Sequence, residues 1–178
     1  MIRTTTRNIE TERLILSPFE RSDLDGLFAL NSDPEVMRYI GEGRTLSREE
    51  TLERLISIIG HWEDHGFGLW SATHKERNEF IGFCGLMHLD NTPEIEVGYR
   101  LAKSYWRMGL ATESARASLC YGFDQLKLDR IVAVAQPENI ASQRVLEKIG
   151  LRYEKDARYY NTDVKYYAIT RNDYELAQ

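Results

Sequence analysis

A glycine-containing turn between a strand-like and a helix-like segment is the part of this sequence best suited to bind a ligand. The turn spans residues 106–113 and reads WRMGLATE. The first amides of a helix have no intrahelical acceptor, and the helix dipole is positive at that end, so this geometry suits a phosphate. Gly109 and Ala111 would let a diphosphate approach the backbone, and Arg107 adds a cation. The pattern predicts a phosphate-binding turn; the simpler alternative is that Gly109 only permits a tight bend.

Hydropathy periodicity predicts the elements that position this turn. Residues 94–101 resemble a strand leading into the turn, and residues 109–127 carry the small apolar stripe of a helix lying close to a sheet. The nearly all-apolar segment 130–135 predicts a strand covered on both faces. Together these form one β-helix-β crossover within an order of strand, helices, three strands, helix, strand, helix and two strands. The sequence therefore predicts an α/β (or α+β) layer with a mixed sheet.

The clearest helix begins at Ser47. Ser47 and Glu50 match a capping box, in which each side chain bonds the backbone amide of the other residue. Apolar residues follow at helical spacing. We expect the buried face of this helix to consist of Leu52, Leu55, Ile56 and Ile59.

Length and charge limit the possible classes of function. The 178 residues favour one domain over residues 1–178. The 23 Lys and Arg against 28 Asp and Glu give a net charge of −5, which argues against a protein whose main task is to bind nucleic acid or anionic lipid. The start lacks an apolar signal core, and the most apolar stretch, residues 55–59, is too short to cross a bilayer. We expect a soluble, cytoplasmic domain with no nucleic-acid or membrane partner.

Histidine and cysteine positions give weaker signals. His61 and His65 lie four residues apart on a predicted helix, a spacing that can chelate a metal, but Trp62 stands where the metalloprotease pattern needs glutamate. Cys84 and Cys120 are far apart and have no neighbouring histidine in sequence, so small buried hydrophobic residues are a better interpretation than acyl-carrying nucleophiles. We expect no metal site.

The turn at residues 106–113 resembles the acyl-CoA pyrophosphate loop of the GNAT acetyltransferases. Their pattern is Gln/Arg-x-x-Gly-x-Gly/Ala; Gly109 and Ala111 match its last positions, and Trp106 departs from its first. The run around Trp106 is instead similar to the branch that contains ribosomal-protein N-terminal alanine/serine acetyltransferases. Four other segments agree with that branch: TERLIL at 11–16, EVGY at 96–99, NIAS at 139–142 and EKIGL at 147–151.

This likeness covers nearly the whole chain, from about Thr11 to Tyr174. It implies the GNAT fold, in which helices flank a mixed, mostly antiparallel central sheet of six to seven strands. The fourth and fifth strands of that fold splay apart at a bulge.

The resemblance implies acetyl-CoA as cosubstrate and assigns its contacts. Pantetheine would lie between the splayed strands and hydrogen-bond the backbone near Tyr99 and Leu101. Asn139 and Ser142 match the family's Asn-x-x-Ser positions, which lie along the pantetheine and near the thioester sulfur. A hydroxyl there could donate a hydrogen bond to the departing CoA thiolate. The residues alone also allow Asn139 as a helix N-cap and Ser142 as an ordinary first-turn residue. Backbone amides of the loop would hold the pyrophosphate: Arg107, Met108, Gly109, Leu110, Ala111 and Thr112.

Acetyl transfer to an amine also needs a base, because only the neutral amine is nucleophilic. Glu96 is the candidate, acting through water, since it projects from the same strand face as Gly98. Glu94 projects the same way and is the second choice. The competing interpretation is a solvent-facing or salt-bridged strand carboxylate.

The general acid is the least defined part of the predicted site. Many GNAT relatives place a tyrosine four residues before the glycine of the late helix, and this sequence has Leu146 there. The proton must then come from Ser142 or from a tyrosine of the last strands, Tyr159 or Tyr160.

These observations predict an N-acetyltransferase that acts by direct attack in a ternary complex. The acceptor would be the N-terminal α-amine of a protein or peptide, or a small amine, and the protein a monomer or homodimer. Two alternatives stay open: a CoA- or acyl-CoA-binding module with little or no catalysis, and a nucleotide-binding protein that uses the same helix start.

Overall fold

The computed structural model describes residues 3–4 and 8–177. The strands join in one sheet in the order β1-β2-β3-β4-β5-β6-β7-β9-β8. The strands are β1 (Arg3–Thr4), β2 (Ile9–Glu10), β3 (Leu14–Pro18), β4 (Leu69–His74), β5 (Glu79–His88), β6 (Ile95–Leu101), β7 (Arg130–Ala135), β8 (Arg152–Tyr159) and β9 (Thr162–Thr170). The α-helices are α1 (Leu24–Asn31), α2 (Pro34–Met37), α3 (Arg48–His65), α4 (Leu110–Cys120), α5 (Ile140–Lys148) and α6 (Arg171–Leu176).

The predicted mixed, mostly antiparallel sheet with flanking helices is confirmed. Among the described strands, only β6 and β7 pair in parallel, through the crossover that contains α4. Seven strands, β3 to β9, have five or more residues, and they correspond to the six to seven expected. The two further strands, β1 and β2, have two residues each, too few to produce an alternating pattern in the sequence.

The sheet separates two apolar layers. On one face, α4 and α5 cover a core that includes Cys84, Val97 and Leu146. On the other face, α1 and α3 cover a smaller core that includes Leu55 and Phe83. Because paired residues project to the same face, each residue of β6 can be assigned to one layer or the other.

The buried face of α3 differs from the prediction. The Ser47–Glu50 capping box is present, but Leu52 and Ile56 are 36% and 47% exposed. Trp62 sets the rotation of the helix about its own axis. Its indole N–H donates to the Leu69 carbonyl oxygen at 2.8 Å, and its ring packs edge-on against the buried Trp70. Burying the large indole fixes which stripe faces the sheet. The buried residues of α3 are therefore Thr51, Leu55, Ile58 and Trp62.

The predicted helix over residues 109–127 is α-helical only in its first part. The α-helix stops at Cys120, and a π-type turn continues over Tyr121–Gln125. Among the described residues, no helix has the length and apolarity needed to cross a lipid bilayer.

Candidate active site

A groove opens where β6 and β7 separate. The two strands pair at one position, Glu96 with Val132. Beyond it they diverge, and the groove around the gap has a volume of about 1100 Å³. Its lining includes Glu96 and Arg100 from one face of the sheet and Tyr99 and Ser142 from the other. The gap therefore joins the two faces, so a cosubstrate and an acceptor can approach each other from opposite sides.

The glycine turn forms one end of this groove. Arg107 and Gly109 have positive φ values of 62° and 81°, and Gly109 is the N-cap of α4. The first intrahelical bond of α4 runs from the Glu113 N–H to the Gly109 carbonyl oxygen at 3.0 Å. The amides of Leu110 to Thr112 precede that bond, and these three residues line the groove with Arg107 and Gly109. The sixth predicted residue, Met108, does not line the groove.

A salt bridge between Arg13 and Glu113 ties this turn to the segment just before β3. Glu113 accepts hydrogen bonds from the Arg13 backbone N–H (2.8 Å), the Arg13 Nε (2.7 Å) and the Thr11 hydroxyl (2.6 Å). Arg13 Nη1 also donates to the Met108 carbonyl oxygen at 2.8 Å. Burial raises the pKa of Glu113, but the hydrogen bonds from Thr11 and Arg13 outweigh it, so the pKa lies below its ordinary value. The TERLIL and LATE segments, noted separately in the sequence, thus form one structural unit.

Trp106 has a structural role in the turn. Its indole N–H donates to the Leu101 carbonyl oxygen at 2.7 Å, which closes the turn between β6 and α4. Both residues line the groove. The Leu101 carbonyl oxygen therefore already accepts one hydrogen bond. Trp106, the residue that departs from the Gln/Arg pattern, donates it.

Glu96 is a buried carboxylate that lines the groove at the point where β6 and β7 pair. Glu96 is 7% exposed, and its carboxylate accepts a hydrogen bond from the Tyr160 hydroxyl. Burial raises the pKa of Glu96 to about 7, although the Tyr160 hydrogen bond and the charge of Arg54 act to lower it. Such a carboxyl is partly ionised near neutral pH, as a general base should be.

Tyr160 is held in place by the turn between β8 and β9. Tyr160 and Asn161 have positive φ values of 51° and 59°, and the Tyr160 N–H donates to Asp90 Oδ2 at 3.1 Å. The Asp90 N–H donates in turn to the Tyr160 hydroxyl at 2.9 Å. Burial and the neighbouring Glu96 carboxylate raise the pKa of Tyr160. The hydroxyl therefore keeps its proton and orients the carboxylate.

Glu94, the second choice for a base, does not line the groove. Its carboxylate accepts a hydrogen bond from the buried Tyr166 hydroxyl. Burial and this hydrogen bond raise the pKa of Tyr166 to about 12. Of the two strand carboxylates, the geometry thus favours Glu96 for chemistry within the groove.

Asn139 and Ser142 stand at the start of α5. The Asn139 side chain caps the helix by accepting a hydrogen bond from the Ser142 N–H at 3.1 Å, as the simpler interpretation expected. Both side chains also line the groove. The Ser142 Oγ lies 2.9 Å from the Tyr99 hydroxyl oxygen, and burial raises the pKa of Tyr99. Ser142 is thus one of two hydroxyls linked across the gap from β6 to α5.

Leu146, at the position of the usual tyrosine acid, is 1% exposed and belongs to the core beneath α5. It brings no proton donor to the groove. Of the two C-terminal tyrosines considered as substitutes, Tyr160 lines the groove and Tyr159 does not.

Arg100 is a groove residue that the sequence analysis missed. Its guanidinium lies over the Phe83 ring at 5.1 Å, and its Nη1 donates to Asn31 Oδ1 at 2.5 Å. The buried Nε has no hydrogen-bond partner among the described residues. Burial lowers the pKa of Arg100 to about 9. A strand arginine two residues after Gly98 could have been assigned to the Glu96 face by alternation alone.

Comparison with known proteins identifies the architecture. A sequence model described as an acetyltransferase (GNAT) domain matches residues 13–152. An uncharacterized N-acetyltransferase of Bacillus subtilis, YoaA, is 35% identical over 158 residues, which cover 85% of this chain and 86% of the relative. The crystal structure of a GNAT-family acetyltransferase from Bacillus anthracis superposes with a TM-score of 0.80 and 33% identity, covering 93% of this chain and 99% of that one.

A more distant structure shares the same fold. The ribosomal-protein-S5-alanine acetyltransferase from Vibrio fischeri superposes with a TM-score of 0.77 over 94% of this chain and 98% of its own. Its sequence identity is 19%, so the match shows a shared fold.

Proposed function

Since the chain belongs to the GNAT acetyltransferase family, we propose that it moves an acetyl group from acetyl-CoA to a primary amine by direct attack in a ternary complex. The observation that carries this proposal is the groove through the β6–β7 gap. A helix start that can bind a diphosphate and a buried carboxylate with a raised pKa both line this groove. The family has acetyltransferase activity. For this chain we propose acetyl-CoA as the donor and a primary amine as the acceptor.

The α4 turn would hold the diphosphate of acetyl-CoA. The free amides of Leu110, Ala111 and Thr112 supply hydrogen bonds, and Arg107 supplies a cation. Pantetheine would then run along the open edge of β6 near Tyr99 and past Asn139. This path delivers the thioester to the gap between Glu96 and Ser142.

Glu96 would act as the general base for the incoming amine. An ammonium group cannot attack the thioester, and an α-amine with a pKa of about 7.7–8.0 needs less help than a lysine amine with a pKa near 10.4. The amine proton passes to Glu96, directly or through water, as nitrogen attacks the carbonyl carbon. The carbon–sulfur bond then breaks and releases the CoA thiolate.

Ser142 would return a proton to that thiolate. The Tyr99 hydroxyl donates to the Ser142 carbonyl oxygen at 3.1 Å and lies 2.9 Å from the Ser142 Oγ. Tyr99 would share its proton between these two oxygens, which leaves the Ser142 proton able to point into the groove. Ser142 would give this proton to the sulfur and recover one from Tyr99 or solvent. This arrangement would replace the tyrosine acid that Leu146 cannot supply.

Ser142→Ala is expected to lower kcat about tenfold while the Kd for CoA changes little, since the diphosphate contacts lie elsewhere. Tyr99→Phe should produce a smaller loss because the serine hydroxyl remains. The measurements are steady-state rates and calorimetric titration with CoA. Equal kcat values for wild type and Ser142→Ala would exclude the serine as the acid.

Tyr160→Phe is expected to shift the pH profile of the rate. The Tyr160 hydrogen bond stabilises the carboxylate form of Glu96, so its loss raises the pKa of Glu96 further above its ordinary value. The ascending limb of kcat/KM should then move to higher pH, with the rate reduced at pH 6.5 and nearly restored at pH 8.5. Tyr159→Phe, outside the groove, is the matched control and should leave the profile unchanged. An unmoved limb in Tyr160→Phe would show that this contact does not tune the base.

A double-displacement route through a cysteine is less well supported. Cys84 is fully buried, and burial raises the pKa of its thiol to about 11. Cys120 donates to Asp124 at 3.1 Å, and neither cysteine lines the groove. A thiolate nucleophile needs a lowered pKa and access to the thioester. Direct attack is therefore the proposed route.

The acceptor is proposed to be a protein or peptide α-amine or a small amine. The decisive experiment measures thiol release from acetyl-CoA with peptides that begin with Ala, Ser or Met, and with polyamines, aminoglycosides and amino acids. Amine-dependent release supports the enzyme. Thermal stabilisation by CoA without release across the panel would instead indicate a binding module, and stabilisation by ATP or NAD equal to that by CoA would indicate a nucleotide-binding protein.

A further inference from the structure

Three of the four histidines of this chain meet at one corner of the molecule. His61 and His65 are one turn apart on α3, and His88 is the last residue of β5. One ring nitrogen from each lies within 4.8 Å of the other two. The helical spacing of His61 and His65 is visible in the sequence. His88 joins them only because α3 and β5 meet in the folded chain.

The orientation of His61 suits a metal ligand. Its Nδ1 lies 2.9 Å from the Phe67 carbonyl oxygen. A carbonyl oxygen only accepts, so the proton of the neutral ring is on Nδ1 and the lone pair is on Nε2. A backbone carbonyl bonded to the second ring nitrogen is the usual way in which a metal-ligating histidine is fixed.

The distances also suit a single ion. His61 Nε2, with its lone pair, lies 3.1 Å from His88 Nδ1. Two nitrogens bound at about 2.05 Å to one tetrahedral ion are roughly 3.3 Å apart. The His65 nitrogen lies within 4.8 Å of the other two and would have to move closer to bind the same ion. The His65 side chain is exposed and can rotate to do so.

The sequence led us to expect no metal site, because it shows only the His61–His65 pair. With His88 added, we propose that His61, His65 and His88 form a binding site for one divalent transition-metal ion of the zinc, nickel and copper group. Three imidazoles favour these ions over calcium or magnesium, which prefer oxygen ligands. The site links α3 to β5. Both elements also contribute to the groove wall, through Arg54 on α3 and Met87 on β5, so the ion would brace that wall without entering the transfer reaction.

The test is calorimetric titration of Zn²⁺ into the full chain, freed of any affinity tag and treated with a chelator. We expect one ion per chain, and at least tenfold weaker binding in His65→Ala, whose exposed side chain can be removed without loss of folding. His88→Ala should behave alike. Zinc should raise the melting temperature of the wild type and not that of the two variants, and Ca²⁺ should produce neither heat nor stabilisation.

Two control variants separate this site from other ligands in the chain. His74→Gln changes the fourth histidine, which lies on β4 beside the Tyr105 ring, and Cys120→Ser removes the less buried thiol. Both should keep the zinc affinity of the wild type. Equal zinc affinity in wild type and His65→Ala, or no binding by the wild type, would overturn the proposal and leave His61 and His88 as a simple hydrogen-bonded pair.

Discussion

Glu96→Gln is expected to lower kcat/KM for acetyl transfer by about 100-fold at pH 7, the lower end of what a positioned general base contributes. Glutamine has nearly the same shape and still accepts the hydrogen bond from Tyr160, so the groove should keep its form. What it loses is the ability to take a proton from the amine. Binding of CoA, measured by calorimetry, should be unchanged because the diphosphate turn lies at another part of the groove.

The pH profile identifies the cause of that loss. With the pKa of Glu96 raised to about 7, the wild-type rate should rise as pH increases through 7 and the carboxyl ionises. In Glu96→Gln this limb should disappear, and the remaining pH dependence should follow the acceptor amine. Glu94→Gln is the matched control, since the same substitution two residues earlier changes a carboxylate outside the groove. Equal losses in the two variants, or a wild-type rate for Glu96→Gln, would remove Glu96 from the mechanism.

Ala111→Glu is expected to weaken CoA binding by about 100-fold. The new carboxylate would lie in the first turn of α4, beside the place proposed for the diphosphate, and two unit charges about 6 Å apart at a protein surface repel by roughly 3 kcal/mol, which is about a 100-fold change in Kd. Acidic residues in the first turn of a helix favour the helix itself. The variant should therefore stay folded, and its melting temperature without CoA should be close to that of the wild type.

Ala111→Gln separates charge from bulk in this experiment. Glutamine has nearly the size of glutamate, so any steric obstruction is shared by both variants. Calorimetric titration with CoA at low and high salt should show weaker binding for the glutamate variant, and the gap should narrow as salt screens the repulsion. The same Kd in both variants would mean that no phosphate group lies near Ala111.

Local features of this protein could be predicted from the sequence because they depend on residues a few positions apart. The Ser47–Glu50 capping box, the Asn139 cap and the glycine start of α4 all involve side chains and amides within one turn. The strand and helix order followed from hydropathy periods in the same way. The predicted buried face of α3 was right for Leu55 and Ile59 and wrong for Leu52 and Ile56, because the indole of Trp62, near the C-terminal end of the helix, sets its rotation.

The sequence alone predicted the fold class, the glycine turn proposed to bind a phosphate and a short set of candidate acids and bases. Only the tertiary structure shows which of these candidates line one groove, because burial and hydrogen bonding join residues that are distant along the chain. Tyr160 reaches Glu96 across 64 positions, and Thr11 reaches Glu113 across 102. The pKa of a carboxyl depends on the solvent and charges around it, which no local pattern records.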